Sequence, residues 1–450
     1  MSVAVVGGGI SGLAAAWALA CSDDVVVLEA GPRVGGKLRV ESVADIPVDV
    51  GAEAMLARRP EGVGLLAELG LQPIAPLTTS ASVRAGGVLH ALPARTMLGI
   101  PADVEALRAS GVLSEHAVER VANEPSLPPL PPLREDVAVG GLVRDRLGNE
   151  VADRLVEPLL GGVYAGRADA LSLRAAVPGV AAALADGGSL VAAARSLLDR
   201  AAATPAPAGP VFASLAGGLG GLPAALASSG RFEVRTGVTV RAIRRDGAKF
   251  VLECGAVPMS YEVRADRVVV ATPPAKAARL LAEVAPAAAR DLAAIETASV
   301  AIVTFAFRDV DLPPGSGLLI GAREGLAVKG VTITSQKWPL PTGGLVVLRA
   351  SVGRAGEAHL LQRRDADLVT LVRHELELLL GVRAEPVDTL VTRWGGGLPQ
   401  YAVGHVERIA CIRAAVDAVP GLAICGAAFD GVGIPACIAA AQAAATRLGQ

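Results

Sequence analysis

The chain has 450 residues, of which 52% are hydrophobic and 19% are charged, and its formal net charge is −2. This length predicts two or three domains with a large buried core. The near-neutral charge argues against the strongly basic surface that nucleic-acid-binding proteins use.

The opening stretch, Val3 to Cys21, carries no charge and raises three alternatives: a membrane anchor, a cleaved signal or a buried start of a domain. A signal peptide needs a basic beginning, which Met1-Ser2 does not supply. A spanning helix is disfavoured by Gly7 to Gly9, since each glycine costs about 1 kcal/mol relative to alanine. The stretch therefore predicts a buried strand, Val3 to Val6, a glycine turn and a helix from Ser11 to Ala20.

The glycine turn has the GxGxxG spacing, with Gly7, Gly9 and Gly12, and a second apolar strand, Val25 to Leu28, follows the helix. In a dinucleotide-binding βαβ unit these glycines permit the tight turn, the approach of a pyrophosphate and close helix packing. The pyrophosphate then lies at the helix N-terminus. Glu29, at the end of the second strand, is placed to bind ribose hydroxyls. An ordinary glycine-rich turn is the alternative.

A second glycine pair, Gly35-Gly36, is flanked by Arg33 and Lys37. This pattern resembles flavoproteins of the glutathione-reductase and amine-oxidase group, and it favours tightly held FAD over a diffusing NAD. The segment Asp49 to Met55 is similar to the loop that these proteins place against the flavin ring.

The C-terminal segment supports the same interpretation. Leu422 to Cys425 predict a strand, and GVGIP, residues 431–435, precedes a helix from Ala436 to Arg447. In the flavin oxidases that this segment resembles, such a helix points its N-terminus at the flavin edge, where it stabilises negative charge on the reduced ring. Asp430 resembles the residue that bonds the ribityl or phosphate portion. Both ends of the chain are thus expected in one discontinuous FAD domain.

The middle of the chain is predicted to contain a mostly helical part followed by a strand-rich part. Residues 65–76 predict a helix and exit loop, and GGVLHALP, residues 86–93, predicts a hairpin strand. Residues 96–203 predict mostly helix, broken by a proline-rich loop at 126–136. Residues 203–212 predict a connector, and the remaining predicted elements are strands in 231–245 and 267–271, a strand-rich set at about 275–385 and a helix at 365–380.

No predicted element spans a membrane. The nearest candidate, Val177 to Ala194, is interrupted by Asp186-Gly187-Gly188. Peripheral membrane contact through the helical segment remains an open expectation.

The chain resembles the protoporphyrinogen and coproporphyrinogen oxidases of haem synthesis from end to end. The stretches that carry the resemblance are LVEPLLGGVYAGRADALS, SLAGGLGGLP, GGVLHALP, LPQYAVGH and CGAAFDGVGIPACI. Two more, ITSQKWP and VLRASVGRAGE, resemble the branch of Gram-positive bacteria that oxidises coproporphyrinogen III.

Local charge is consistent with that branch. Residues 315–355 contain five basic residues and one acid, an excess of four positive charges. Coproporphyrinogen has four propionates and protoporphyrinogen two, so a basic rim suits the more acidic substrate. A solvated strand face is the alternative. The propionate-binding arginine of the protoporphyrinogen branch falls at Ala81 here, and its aromatic clamp near Ser316, so neither is present.

The resemblance implies an α/β (α+β) fold of amine-oxidase-like flavoprotein architecture, with a Rossmann-like FAD domain, a mixed-sheet substrate domain and a helical insertion. The expected boundaries are 1–75, 208–274 and 385–450 for the FAD domain, 76–95 and 275–384 for the substrate domain, and 96–207 for the helical domain.

The implied activity is the FAD-dependent, oxygen-consuming six-electron oxidation of coproporphyrinogen III to coproporphyrin III. A protoporphyrinogen IX oxidase is the first alternative. An amine oxidase or desaturase on the same fold, or a non-catalytic flavin or porphyrin carrier, is the second. Three tryptophans and three tyrosines make the aromatic cage of an amine oxidase hard to build.

The resemblance also implies the site residues. No side-chain catalytic base and no metal ligand is expected. Six residues are expected at the substrate: Gly162, Arg84, Leu319, Lys329, Lys337 and Arg349. The residues expected at non-covalent FAD are Gly7, Gly8, Gly9, Ile10, Ser11, Gly12, Glu29, Ala30, Arg33, Gly36, Lys37, Gly51, Ala52, Glu53, Ala54, Val238, Trp394, Gly426, Asp430, Val432, Gly433 and Ile434.

The expected partners are the porphyrinogen, O2 and, transiently, a downstream ferrochelatase, with no nucleic acid. Five cysteines without a CxxC pair argue against a disulfide framework or a zinc site, and favour a reducing cytoplasm. A peripheral position at the inner face of the membrane is the further expectation.

Overall fold

The computed structural model describes residues 1–203 and 209–449. Their strands, in chain order, are β1 (Ser2–Val6), β2 (Asp24–Leu28), β3 (Val40–Val43), β4 (Ile46–Asp49), β5 (Met55–Leu56), β6 (Pro73–Ile74), β7 (Ala81–Ala85), β8 (Val88–Ala91), β9 (Thr96–Met97), β10 (Ile100–Pro101), β11 (Phe212–Leu215), β12 (Glu233–Arg235), β13 (Val240–Asp246), β14 (Lys249–Cys254), β15 (Tyr261–Ala265), β16 (Arg267–Val270), β17 (Thr297–Phe307), β18 (Gly317–Ile320), β19 (Val328–Ile333), β20 (Val346–Val352), β21 (Asp388–Pro399) and β22 (Leu422–Ile424).

The helices of the same residues are α1 (Ile10–Leu19), α2 (Pro60–Glu68), α3 (Val104–Ser110), α4 (Glu115–Asn123), α5 (Val139–Leu147), α6 (Asn149–Val151), α7 (Glu157–Tyr164), α8 (Leu173–Ala176), α9 (Pro178–Ala183), α10 (Leu190–Ala203), α11 (Gly221–Ala227), α12 (Pro274–Leu280), α13 (Pro286–Ala293), α14 (Thr334–Lys337), α15 (Asp365–Leu380), α16 (His405–Asp417) and α17 (Ile434–Gly449). A π-helical turn, Ala152–Val156, directly precedes α7.

A five-stranded parallel sheet brings the two ends of the chain together, in the order β12-β2-β1-β16-β22. Its strands β1, β2, β16 and β22 are largely apolar, as is typical of a parallel sheet whose two faces are covered by helices. In β1, Val3 and Val5 pack towards α1 and α17, whereas Ala4 and Val6 pack towards α12, α13 and α16.

A second sheet has seven strands in the order β21-β17-β20-β19-β18-β7-β8. Only β18 and β7 run parallel; the other neighbours are antiparallel. Helix α15 covers one face, where Leu376 joins a core with Phe305 and Leu348. On the other face, Val83 and Leu319 contact the helical segment formed by α3 to α10.

Several predictions of elements are confirmed. The β1-α1-β2 unit lies within a residue of its predicted bounds, the hairpin strand is β8, and α15 has the predicted bounds. Residues 96–203 are mostly helical, apart from the short β9-β10 pair. The connector predicted at 203–212 and the boundary at 207/208 fall largely on residues 204–208, outside the described residues.

The helix expected at 65–76 is wrong in position, because α2 starts at Pro60, a residue suited to the first turn of a helix. The last helix starts two residues early, at Ile434. Strands β14 and β15, which extend β13 into a separate three-stranded sheet, had not been predicted.

Two domain boundaries also differ from expectation. Strand β21, expected in the FAD domain, pairs along β17 from Thr297 opposite Pro399 to Ala306 opposite Asp388, so it completes the seven-stranded sheet. Helices α12 and α13, expected in the substrate domain, pack their apolar side chains with Val268 and Ile412 against the five-stranded sheet. Among the described residues, no helix is both long and apolar enough to cross a membrane.

Candidate functional site

The first glycine turn has the geometry of a phosphate cradle. Gly7 has a φ of +110°, which an L side chain rarely adopts, and a Cβ on Gly12 would lie 1.9 Å from the Gly7 carbonyl oxygen. A Cβ on Gly9, in contrast, would meet no atom within 4 Å. Helix α1 begins at Ile10 without a side-chain cap, so its first N–H groups remain available for an anion.

The second glycine pair lies against this turn. The Gly35 amide donates to the Gly8 carbonyl at 2.7 Å, and a Cβ on Gly36 would be 3.4 Å from the Gly9 Cα. Burial lowers the pKa of Lys37, and within the described residues no carboxylate lies within 4 Å of its ammonium group. Arg33 is exposed, and its pKa is lowered by partial burial and by Arg39. We call the two glycine turns together with Arg33 and Lys37 the phosphate clamp, because their cationic side chains and free amides can bind an anion.

Glu29 lies at the end of β2, where its carboxylate accepts from the amides of Gly8, at 2.6 Å, and Gly31, at 2.7 Å. The Val238 amide donates to the Glu29 carbonyl at 2.9 Å. Glu29, Ala30 and Val238 thus come together as expected. Because a carboxylate offers about four lone-pair positions, Glu29 can still accept from hydroxyl groups.

The loop at residues 50–54 joins both sheets. The Ala52 amide donates to the Lys37 carbonyl at 3.1 Å, and the Trp394 indole Nε1 donates to the Val50 carbonyl at 2.8 Å. A Cβ on Gly51 would lie 1.9 Å from the Lys37 oxygen and 3.2 Å from the Trp394 ring. The structure therefore brings together Gly51, Ala52 and Trp394 beside the phosphate clamp.

Glu53 is held by two cations that had been expected at the substrate. Its carboxylate binds Lys337, at 2.5 Å, and the guanidinium of Arg349, which also donates to the Gly51 carbonyl at 2.7 Å. Burial would raise the pKa of Glu53, but Arg349 and Lys337 outweigh it and lower that pKa. Arg349 is only 6% exposed, so these side chains do not form a solvent-facing rim.

Most of the remaining local cations have carboxylate partners too. Arg84 pairs with Glu324 at 3.2 Å, Arg323 with Asp153 at 2.7 Å, and Arg354 with Glu357 at 3.5 Å. Four of the five basic residues in 315–355 therefore have a carboxylate partner, with Lys337 and Arg349 sharing Glu53. The count within 315–355 missed Asp153, Glu53 and Glu357, because they lie outside that stretch.

Three of the expected substrate residues meet at the end of α7. A Cβ on Gly162 would be 3.4 Å from the Leu319 side chain, and Lys329 Nζ donates to the Gly161 carbonyl at 3.2 Å. Lys329 is buried, and in the described part of the chain it has no carboxylate within 4 Å. Burial, with a smaller effect of Arg354, lowers the pKa of Lys329 to about 8.

The start of α17 lies beside the start of α1. Burial raises the pKa of the Cys437 thiol, while the Ser11 side chain and Lys37 act in the opposite direction. Gly433 and Ile434 thus lead into a helix whose first turn is near the phosphate clamp. Val432 packs against the helical segment. Asp430, which was expected to bond the ribityl or phosphate portion of FAD, forms an ion pair of 2.5 Å with Arg413.

Some residues of the site were missed by the sequence. Asp49 accepts from the Leu219 amide at 3.1 Å. Its other oxygen, Thr334 Oγ1 and Trp338 Nε1 lie buried around one small cavity and have no hydrogen-bond partner among the described residues. Burial raises the pKa of Asp49 to about 6. An acid at the last position of the apolar strand β4 was the available signal, although the residues around it lie far away in sequence.

Comparison with known proteins gives the family. The family model for flavin-containing amine oxidoreductases matches residues 10–449. The chain belongs to this family. It is 40% identical to the coproporphyrinogen III oxidase of Mycobacterium leprae (strain TN), over 98% of this chain and 96% of that protein. It is 31% identical to the Bacillus subtilis (strain 168) protein of the same name, again over 98% and 96%.

Solved structures agree on the fold. A provisionally named protoporphyrinogen oxidase from Exiguobacterium sp. 255-15 has 32% identity and a TM-score of 0.87, with 100% of this chain and 99% of that chain covered. Cyclohexylamine oxidase from Brevibacterium oxydans IH-35A has 20% identity and a TM-score of 0.72, with 99% and 98% covered. The amine-oxidase-like fold expected from the sequence is therefore confirmed.

Proposed function

We propose that this chain is a coproporphyrinogen III oxidase, which converts coproporphyrinogen III to coproporphyrin III with O2 as the electron acceptor. The observation that carries the proposal is the 40% identity to an enzyme of that name over 98% of the chain. The full-length match matters because it covers both the flavin-type glycine turns and the α7 region, rather than the nucleotide-binding part alone.

The chain's residues fit non-covalent FAD. The pyrophosphate suits the open space beside Gly9, the uncapped start of α1 and the ammonium of Lys37, which has no carboxylate within 4 Å among the described residues. Glu29 and Val238 suit the adenosine ribose, and the first turn of α17 suits the negative edge of the ring. When bound, FAD supplies a two-electron acceptor that O2 reoxidises.

The substrate is proposed to lie against Gly162 and Leu319 at the end of α7. A glycine there permits close approach of a flat ring, since no Cβ projects from it. Lys329 uses one of its three N–H donors on the Gly161 carbonyl, which leaves two for a propionate. Arg84, Lys337 and Arg349 already bind carboxylates of the protein, so we assign them to shaping the site.

The preference for the tetra-acid is supported by two positions. Ala81 lies on β7 opposite Gly317 and offers no guanidinium, and the Ser316 hydroxyl donates to the Ser80 carbonyl at 2.7 Å instead of providing an aromatic clamp. Both features of a two-propionate site are therefore missing. Protoporphyrinogen IX remains the alternative substrate, because a Bos taurus protoporphyrinogen oxidase is 31% identical.

A cytoplasmic location is part of the proposal, with peripheral membrane contact and transient transfer of product to a ferrochelatase. The support for this location is an odd number of cysteines without a CxxC pair.

The direct test supplies coproporphyrinogen III, protoporphyrinogen IX and a simple amine to the purified protein in air. Porphyrin fluorescence and peroxide are followed together. We expect porphyrin from coproporphyrinogen III at the highest kcat/KM, with three peroxides per porphyrin. Oxidation of the amine alone would replace the proposal with an amine oxidase, and bound FAD without turnover would indicate a carrier.

A further inference from the structure

The segment Leu398–His405, which contains the family-like stretch LPQYAVGH, links two parts of the site that are distant in sequence. On one side it binds the end of α7: Gln400 Nε2 donates to the Tyr164 carbonyl at 2.8 Å. The Ser172 amide donates to the Tyr401 carbonyl at 2.7 Å. A Cβ on Gly166 would lie 2.4 Å from Gln400 Oε1, so this contact has no spare room.

On the other side the segment binds the loop that leads into α17. The Tyr401 hydroxyl donates to the Ala427 carbonyl at 2.7 Å. His405 Nε2 lies 2.8 Å from the Ala428 carbonyl. Two successive carbonyl groups of the loop are therefore fixed by two side chains of one segment.

The aromatic rings between these two ends form a row of contacts, here called the stack, in which Tyr401 lies nearly parallel to His405 and is tilted by 49° to Tyr164. Tyr401 packs on His405 with ring centroids 4.1 Å apart, and on Tyr164 of α7 with centroids 5.3 Å apart. Tyr401 is 2% exposed and His405 1%. Through these closely packed rings, Tyr164 of α7 is connected to the loop by direct side-chain contacts.

The chemistry of His405 agrees with a fixed orientation. The Ala428 carbonyl can only accept, so Nε2 must carry the hydrogen. Nδ1 is buried and has no hydrogen-bond partner in the part of the chain that the structure describes. Burial lowers the pKa of His405, which keeps the ring neutral and its tautomer constant at neutral pH.

We propose that Tyr401 and His405 are positioning residues that hold the 426–430 loop, and with it the start of α17, in register with the end of α7. Substrate contact at Gly162 and FAD contact at α17 are then energetically coupled through this stack. The coupling rests on the proposed function for its two ligands, but the positioning of the loop does not.

The test uses Tyr401→Phe, which keeps the ring and removes only the hydroxyl, with Tyr164→Phe as the matched control in the same stack. The dissociation constant of FAD is measured first, without any tetrapyrrole. We expect it to rise about fivefold in Tyr401→Phe, as the loss of one buried hydrogen bond implies, and to stay within twofold of wild type in Tyr164→Phe. Equal constants in Tyr401→Phe and wild type would overturn the proposal.

Hydrogen exchange separates positioning from general destabilisation. In Tyr401→Phe, amides of residues 426–437 should exchange faster while those of β1 and β16 keep wild-type rates. Uniformly faster exchange would mean that Tyr401 only stabilises the fold. His405→Gln, which retains a donor at similar reach, should lie between wild type and a His405→Ala variant in FAD affinity.

The coupling is then measured as the change in FAD affinity caused by coproporphyrin III. Coupling between sites is reciprocal, so the ratio of FAD dissociation constants with and without porphyrin reports it. We expect this ratio to approach one in Tyr401→Phe, and an unchanged ratio would contradict the coupling. If wild type binds no porphyrin, the proposed function fails, whereas the FAD and exchange measurements still decide the positioning role.

Discussion

Lys337 and Glu53 form a buried ion pair, with 2.5 Å between Nζ and Oε1, and Arg349 binds the second oxygen of the same carboxylate. This arrangement ties the 50–54 loop, next to the phosphate clamp, to α14 and β20 of the seven-stranded sheet. The 50–54 loop and the seven-stranded sheet therefore share a charged contact whose members are all largely removed from water.

Replacing Glu53 by glutamine should strongly destabilise the protein, because it leaves two buried cations without a counter-charge. We expect a loss of about 3 kcal/mol in the free energy of unfolding, measured by urea titration. Asp367→Asn, which breaks the exposed pair with Arg364, is the control and should leave the free energy of unfolding close to that of wild type. Similar losses for both variants would show that burial of the Glu53 cluster has no energetic effect.

Asp49→Asn should stabilise the protein in a pH-dependent way. Because burial raises the pKa of Asp49 from 3.8 to about 6, the folded state disfavours the carboxylate, and wild type loses stability as pH rises from about 4 to 6. Asparagine has no such cost and still accepts from Leu219. The variant should match wild type near pH 4 and exceed it at pH 7 by on the order of 2 kcal/mol.

Asp266→Asn is the control, because it should change the stability at pH 7 in the opposite direction to Asp49→Asn. Hydrogen bonds from Ser2 lower the pKa of Asp266 to about 2, so its carboxylate stabilises the fold above pH 4 and this contribution is lost as the pH falls towards 2. This variant should be less stable than wild type at pH 7. If both substitutions changed the stability at pH 7 in the same direction, the environments described for the two aspartates would be contradicted.

Lys329→Met should weaken the binding of coproporphyrin III about tenfold, because a charge-assisted hydrogen bond to a propionate is lost. Stability at pH 7 should not fall, since burial already lowers the pKa of Lys329 to about 8 and disfavours its charge. Porphyrin fluorescence titration measures the affinity. Lys249→Met, at an exposed lysine paired with Asp266, should bind as wild type does, and equal affinities for both variants would remove Lys329 from the substrate site.

Gly9→Ala should abolish tight FAD binding without unfolding the protein. Gly9 has φ −74° and ψ 175°, which alanine adopts readily, and its Cβ would meet no protein atom within 4 Å. The methyl group instead occupies the space assigned to the pyrophosphate. Gly12→Ala, whose Cβ would lie 1.9 Å from the Gly7 oxygen, should lower the thermal midpoint of the apoprotein. Retention of wild-type FAD content in Gly9→Ala would place the phosphate elsewhere.

The sequence predicted those parts of the molecule that depend on local pattern. The β1-α1-β2 unit follows from an apolar strand and glycine spacing, and α15 follows from helical periodicity between Asp365 and Gly381. The first glycine turn was predicted from its GxGxxG spacing. The second turn and the end of α7 were predicted from stretches that resemble those of known flavoproteins.

Long-range partners could not be predicted in the same way. The sequence shows that Arg349 and Lys337 are cationic. Only the fold shows that both bind the carboxylate of Glu53, nearly 300 residues earlier. Likewise, β21 follows a helix and precedes FAD-type motifs, yet its hydrogen bonds to β17 place it in the other sheet. Strand pairing and charge pairing depend on tertiary contacts that local spacing does not encode.

The measurement that tests the central claim most directly is anaerobic mixing of the FAD-loaded protein with coproporphyrinogen III in a stopped-flow spectrometer. We predict that the yellow absorbance of oxidised flavin bleaches in step with oxidation of the tetrapyrrole, faster than with protoporphyrinogen IX, and returns when O2 is admitted. A flavin band that keeps its oxidised spectrum in the presence of coproporphyrinogen III would contradict the account.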